Sequence, residues 1–388
     1  MTTAHPRIEP NLIPELFLRN STHFSPDASS YVFQLEWLDG SNDPWDTNPS
    51  LTSPQTLAAS ASDHLIKIYN VESLGLIQAL KFHTKTIQHI QAVPGQPQAL
   101  ISASDDGRVA LWDLRLATET HGPVQVFTAP PPAYAQSKPS QAPAMLAADI
   151  SRSGHLLVAG TEYSESTLEA AVSFYDLRQA ADRSVVQVYR ESHGDDVTQV
   201  KFHPLHHHIL LTGSEDGLLC LFDTQQADEE DAITAVGNTS STVNRAGWFG
   251  PSAEFIYSLS PLENFSLWSV QSDGLDPVHQ WSDIRRFGGP SWTPDYAIDC
   301  HYNPRTQRLF LLTGSHEGQV QSFHVGADDV QLCQVLNHGH AELVRAAIYS
   351  PDQAALISGG EDSRLTTWSN IPPPPVESEP SEMMETGP

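Results

Sequence analysis

The sequence is short of cysteine, of positive charge and of long apolar runs. Its three cysteines, Cys220, Cys300 and Cys333, are far apart, odd in number and set within alternating apolar segments. That placement excludes a disulfide framework or a thiolate metal site and predicts small core residues in a reducing compartment, cytosol or nucleus. Lysine and arginine number 20 against 47 aspartates and glutamates, a formal charge of -27. Such a balance excludes binding of nucleic acid or anionic lipid through the overall field and favours basic partners. No run approaches the ~18 apolar residues of a membrane span, and the first residues, MTTAHPRIEPNL, hold no charged-then-apolar leader. GxSxG, P-loop, HExxH and CxxC motifs are missing, so neither catalysis nor a bound metal or cofactor is expected.

What is present is a repeated pattern. Hydrophobic residues make up 39% of the 388, enough for a sizeable core. In the stretch HGDDVTQVKFHPLHHHILLTGSEDGLLCLFD, from His193 to Asp223, apolar and polar residues alternate through Val197, Val200 and Phe202, and the chain turns at Pro204. Ile209 to Leu211 predict a second strand, Ser214 to Gly217 a tight turn and Leu218 to Phe222 a third strand. One such unit cannot bury its own faces, and it recurs. The aromatics that close the third strands are Tyr69, Trp112, Tyr175, Phe222, Trp268, Phe323 and Trp368, spaced by 43, 63, 47, 46, 55 and 45 residues. A period of ~40–45 residues is that of a four-stranded propeller blade, and the long spacings contain insertions.

These residues resemble the WD40 repeat family. LWD at 111–113, FYD at 174–176 and LFD at 221–223 match the closing dipeptide of the repeat, and GH at 339–340 matches its opening one. The family's structural tetrad of His, Ser or Thr, Asp and Trp maps onto His83, Ser102, Asp106 and Trp112 in blade two and onto His340, Ser358, Asp362 and Trp368 in blade seven. Blade four keeps His193, Thr212 and Asp216 beside Phe222. Blade one has Ala59, Asp63 and Tyr69, blade six has Thr313, Glu317 and Phe323, and blade five keeps Ser258 and Trp268 with Leu262 in the Asp place. Blade three fits least well. A buried indole N–H needs an acceptor, which the Ser hydroxyl supplies while His and Asp satisfy the hydroxyl. Within the family, HGDDVTQVKFHP, EEDAI at 229–233, AGTE at 159–162 and GGEDS at 359–363 are similar to the group of WD repeat-containing protein 89. The acidic tail departs from the basic tail of that group's animal members, so nothing attributed to that tail carries over.

The expected fold is therefore all-β, a seven-bladed WD40 β-propeller over residues 1–370 with a disordered Pro/Glu-rich tail over 371–388. Blade seven runs into IPPPP at 371, where a fourth strand cannot form. The segment ELFLRN, 15–20, is expected to supply it and close the ring. The loops 129–143, 162–170 and 282–294 are assigned to one face, the top; the segment around 40–54 and QADEED at 226–231 are assigned to the bottom.

Candidate sites follow from these faces. Asp105, Glu215 and Glu361 precede tetrad positions in the top turns, where Ser62 and His316 stand in blades one and six, and Asp195, Asp196 and Glu342 follow the opening histidines. Together they form an acidic rim suited to a Lys- or Arg-rich segment, with Arg285 and Arg286 in the blade-six loop either orienting a partner or pairing with those acids. An acidic protein with acidic loops everywhere is the bland alternative. On the bottom, Trp112, Asp113 and Arg115 form a WDxR, and Tyr175, Asp176 and Arg178 form a near match. This resembles the motif by which WD40 substrate receptors dock on the adaptor of cullin-RING ubiquitin ligases, which would make Arg115 and Arg178 docking residues. An arginine two residues after a strand-ending Asp can instead pair with it in the turn. His203, His206, His207 and His208 predict a solvated turn, since consecutive histidines cannot converge on one ion. The PPP at 130–132 and the PPPP at 372–375 suit polyproline II, as spacer or as SH3 or WW ligand. The function expected is a non-catalytic scaffold, monomeric within a complex. A ubiquitin-ligase substrate receptor and an assembly factor or chaperone for basic proteins are the alternatives.

Overall fold

A computed structural model describes residues 14–27, 29–38, 56–116, 121–130, 142–165, 167–181, 184–271, 274–289, 292–350 and 355–372. The expected tail beyond 372, the segment 40–54 and most of the Pro-rich loop 129–143 lie outside these residues. Alternation with period two folds the chain into seven four-stranded antiparallel sheets arranged as a propeller. The innermost strands are Val32–Trp37, Ile87–Val93, Met145–Ile150, Val197–Phe202, Arg245–Phe249, Tyr296–Asn303 and Val344–Ser350. Six sheets use four consecutive strands, and the seventh takes its outer strand from the N-terminal segment.

That closure is the expected one, shifted by two residues. Phe17–His23 pairs antiparallel with Arg364–Ser369, the third strand of blade seven, with Phe17 opposite Ser369 and His23 opposite Arg364. Both ends are fastened. Leu16 and Phe24 are buried, and the Gln334 amide clasps the Leu16 backbone, its Oε1 accepting from the amide at 3.0 Å and its Nε2 donating to the carbonyl at 2.7 Å. At the other end Phe24 N donates to Ser363 O at 2.6 Å. The third strand of blade seven is thereby paired on both sides, and Phe17–His23 becomes the outer strand of that sheet.

The core lies between blades. All seven closing aromatics are buried, and each packs into a cluster shared with a neighbouring sheet. Phe222 of blade four, for example, stacks on Tyr189 of blade three with centroids 5.0 Å apart. The tetrads hold in three blades. His83 Nε2 meets Ser102 Oγ at 2.7 Å and its Nδ1 meets Asp106 Oδ2 at 3.0 Å, while Trp112 Nε1 donates to Ser102 Oγ at 2.9 Å. His340, Ser358, Asp362 and Trp368 repeat this at 2.8, 3.0 and 3.0 Å. In blade four His193 reaches Thr212 at 2.6 Å and Asp216 at 3.2 Å, and Phe222 needs no acceptor.

Blade five differs from the expectation. Trp268 Nε1 donates to Ser266 at 2.9 Å, and Ser266 in turn meets Ser258 at 2.6 Å. The blade has no opening histidine, so a third-strand hydroxyl fills the gap. Blade six does the same with Gln321, whose Oε1 accepts from Thr313 at 2.8 Å. In blade one Lys67 occupies that position, its ammonium donating to Phe24 O at 2.6 Å over the Phe24 ring. The register also places blade three: Ala159 opposite Ser173 stands where the tetrad hydroxyl would be. The top turns need a left-handed residue after the tetrad acid. Gly107, Gly217 and Gly318 have φ of +79°, +83° and +81°, the conformation glycine adopts without steric cost.

Candidate interaction site

The innermost strands line an open central cavity of about 730 Å³. Asp196 and Glu215 stand at its mouth with Glu263 and Asp295, and the wall carries Thr198, Gln199, Asn244 and Tyr296. Local hydrogen bonds hold the acids upright. Asp195 Oδ1 accepts from Asp196 N at 2.9 Å, Asp196 Oδ1 accepts from Tyr163 N at 2.7 Å, and Glu162 Oε1 accepts from Ala144 N at 2.8 Å. Partial burial, then repulsion from Asp195 and Glu162, keeps the Asp196 carboxyl above the usual carboxylate range. Burial, Asp196 and Asp195 do the same to Glu215. Among the described residues no cation forms an ion pair with Glu162, Asp195, Asp196 or Glu215. They are a field that repels itself.

The other predicted rim residues are spread and partly occupied. Asp105 accepts from Gln88 Nε2 at 2.9 Å, and Glu361 is paired with Arg345, whose Nε lies 2.6 Å away. Neither lines the cavity, and nor does Glu342. Arg285 pairs with Asp283 of its own 3-10 turn at 2.8 Å, not with a rim acid, and Arg286 is exposed. Glu162, Glu263 and Asp295 were not among the predicted site residues, because their loops are irregular and no motif fixes where they point.

On the bottom face the two Asp-Leu-Arg turns have the same geometry. Asp113 accepts from Arg115 N at 3.0 Å, Nε at 2.9 Å and Nη2 at 2.7 Å. Asp176 accepts from Arg178 N at 3.0 Å, Nε at 2.8 Å and Nη2 at 2.8 Å. The fork of each arginine is thus folded onto its own turn, and holds Asp176 down to about 2. Both side chains stay largely exposed, at 71% and 65%. Trp112 and Tyr175 are buried between blades and offer no surface.

The segment 226–231, assigned to the bottom, does not stand free there. It forms a short helix, Glu229–Ala232, against the connection from blade three to blade four. The Glu229 carboxylate accepts from the amides of Arg190, Glu191 and Ser192 at 2.6, 2.9 and 2.7 Å. Three successive N–H groups form a nest for an anion, and this acidic loop supplies one. Of the histidine turn, His203 is buried, packed between His206 and Trp248, and its Nδ1 accepts from two backbone amides. Among the described residues no His, Cys, Asp or Glu group has a metal-binding arrangement.

A feature that sequence reading missed lies on the innermost strands, where two of its six residues, His89 and Arg245, line the cavity. Glu36, His89, Asp149, Lys201, Arg245 and Asp299 come from the innermost strands of blades one to six. Lys201 Nζ crosses from blade four to His89 Nε2 of blade two at 3.3 Å. Asp149 accepts from Gln91 Nε2, Ile150 N and Phe202 N at 2.6, 2.7 and 2.6 Å. The six lie 53, 60, 52, 44 and 54 residues apart, a spacing too irregular for a motif to reveal them.

Comparison with known proteins agrees with this architecture. The family model "WD domain, G-beta repeat" matches residues 75–113, 183–223 and 331–369. The WD repeat-containing protein 89 homolog of Dictyostelium discoideum is 28% identical over 82% of this chain and 81% of its own length. The WD repeat-containing protein GTS1 of Arabidopsis thaliana is 28% identical over 91% of this chain and 84% of its own. An uncharacterized WD repeat-containing protein of Saccharomyces cerevisiae is 33% identical over 55% of this chain and 54% of its own.

Proposed function

We propose that this chain, a WD40-repeat propeller similar to WD repeat-containing protein 89, is a non-catalytic scaffold whose top face binds a basic protein segment at the cavity mouth. WD40 propellers act generally as protein-interaction scaffolds, and that much follows from the repeats themselves. The finer reading rests on one observation: Asp196 and Glu215 line the mouth, Asp195 and Glu162 stand close enough to repel them, and none of the four has an ion-pairing cation among the described residues. A Lys- or Arg-rich segment relieves their repulsion and is steered toward them. An assembly factor or chaperone for basic proteins is the same surface acting on many clients. Its three free, buried cysteines support a reducing compartment, cytosol or nucleus, as the place where it works.

A second reading is favoured by the paired, exposed arginine forks of adjacent blades: Arg115 and Arg178 contact the adaptor of a cullin-RING ligase. One experiment separates the two. Tagged wild type, Asp195→Lys/Asp196→Lys/Glu215→Lys and Arg115→Ala/Arg178→Ala are compared by quantitative co-purification from cells, after equal melting is confirmed. Loss of basic proteins from the triple variant alone supports the scaffold. Loss of a cullin adaptor from the double variant supports the receptor, and unchanged partners in both refute each surface.

A further inference from the structure

The girdle of titratable residues on the innermost strands, which reaches the cavity wall at His89 and Arg245, is uneven in how its hydrogen-bonding capacity is used. Its acids are occupied by fixed donors. Asp149 holds three, Asp299 Oδ1 accepts from Tyr257 OH at 3.0 Å and Cys300 N at 2.7 Å, and Glu36 Oε1 accepts from Ala92 N at 3.0 Å. These bonds tie neighbouring blades together, so the carboxylates are structural. The cations are different. Of the three donors of Lys201, one reaches His89. Arg245 donates to Asn244 O at a long 3.3 Å, and its Nε lies 4.0 Å from Asp299. Among the described residues, the remaining N–H groups of both cations meet no hydrogen-bond acceptor. His89 is kept neutral by burial and by Lys201 and Arg245. Its Nε2 accepts from the ammonium, which leaves the ring proton on Nδ1, a buried atom without a partner. The girdle therefore carries spare donors in a protein whose overall charge is strongly negative.

Arg245 and His89 line the same cavity as Asp196 and Glu215. We infer that the cavity takes the C-terminal end of a basic partner, with its terminal carboxylate on Arg245 of the wall and on the Lys201 ammonium that lies against the wall residue His89, and its basic side chains on the acids of the mouth. A chain end answers both halves of the site: it carries an anion that uses the spare donors, and the positive charge behind it matches the rim. Capture of a terminal carboxylate by converging donors is an established recognition mode. The volume lies within the ~300–1,000 Å³ of ligand pockets. Charge-assisted bonds to the carboxylate would add directional contacts that rim attraction lacks.

The inference rests on the acidic-mouth reading, and one titration tests them separately. A fluorescein-labelled octapeptide of alternating glycine and lysine is prepared with a free C-terminal carboxylate and as the C-terminal amide, and its anisotropy is followed with the full chain. The free acid is expected to bind at least tenfold more tightly than the amide, although it carries less positive charge. Lys201→Gln/Arg245→Gln should reduce the acid to the affinity of the amide and leave the amide unchanged. Asp195→Lys/Asp196→Lys/Glu215→Lys should weaken both. Equal binding of acid and amide by the wild type, or tighter binding of the amide, overturns the carboxylate site and leaves the mouth standing. If neither peptide binds, the mouth reading fails and this inference fails with it.

Discussion

Replacing Glu36 with glutamine should make the protein more stable at alkaline pH. Glu36 projects from the first strand of blade one, is half-buried, and accepts the Ala92 amide of blade two. Burial is the main reason that its carboxyl is pushed up from an ordinary 4.5 to about 7, with Asp149 adding repulsion and Lys201 offsetting part of it. Between those values the folded state binds a proton that the unfolded chain has lost. Glu36 is thus least costly below pH 4.5, and its stability contribution is lost as pH rises through 7. At about 1.4 kcal/mol per tenfold, the full difference reaches about 3 kcal/mol, and solvent in the cavity reduces it to about 1–3 kcal/mol. Glutamine removes the charge and keeps an oxygen for the Ala92 amide. Urea unfolding of wild type and Glu36→Gln from pH 4.5 to 8 should therefore show near-equal stability at the acid end and a more stable variant at pH 8. His89 and His203, whose protonation is disfavoured by burial, lower stability in acid in both proteins and cancel in the difference. A variant less stable than wild type at pH 8, or a difference independent of pH, would refute the buried-carboxyl account.

Three other perturbations probe the frame. Deleting residues 1–24 removes the outer strand of blade seven and the buried Leu16 and Phe24, at a cost of about 3–6 kcal/mol from those side chains alone; an unchanged melting temperature contradicts ring closure by this strand. Ser102→Ala orphans both the Trp112 indole and His83 Nε2 and should cost about 2–4 kcal/mol in denaturant unfolding, more than Thr212→Val, where His193 alone loses a partner. The reverse order would mean that the indole is not held by the tetrad. Glu229→Ala opens the nest over Arg190, Glu191 and Ser192, so those three amides should exchange hydrogen at least tenfold faster, and unchanged exchange would show that the acidic helix is not their cap.

Repeated and local features were legible in the sequence. The seven closing aromatics gave the blade count because an aromatic between blades is required by packing wherever two sheets meet, and the Pro run at 372–375 announced the missing strand that Phe17–His23 supplies. Less legible was anything set by partners distant in sequence. Ser266 and Gln321 replace tetrad histidines from the third strand, a substitution visible only once the register places them opposite Ser258 and Thr313. The segment 226–231 looked like a free acidic loop because nothing local reveals that three amides some 37–39 residues earlier need a carboxylate. Of the acids singled out by their places in the repeat, Asp196 and Glu215 line the cavity and Asp195 adjoins Asp196, whereas Asp105 and Glu361 meet Gln88 and Arg345. The twin Asp-Leu-Arg turns read as a docking motif and as a self-paired turn from the same letters, and the geometry shows the pairing.

The acidic mouth is tested most directly by titrating a lysine-rich peptide amide against wild type and Asp195→Lys/Asp196→Lys/Glu215→Lys over a range of salt, with melting temperatures matched. The account predicts binding by the wild type that weakens steeply with salt, and a loss of at least tenfold in the variant. Equal affinity for the two proteins, or binding indifferent to salt, would contradict it.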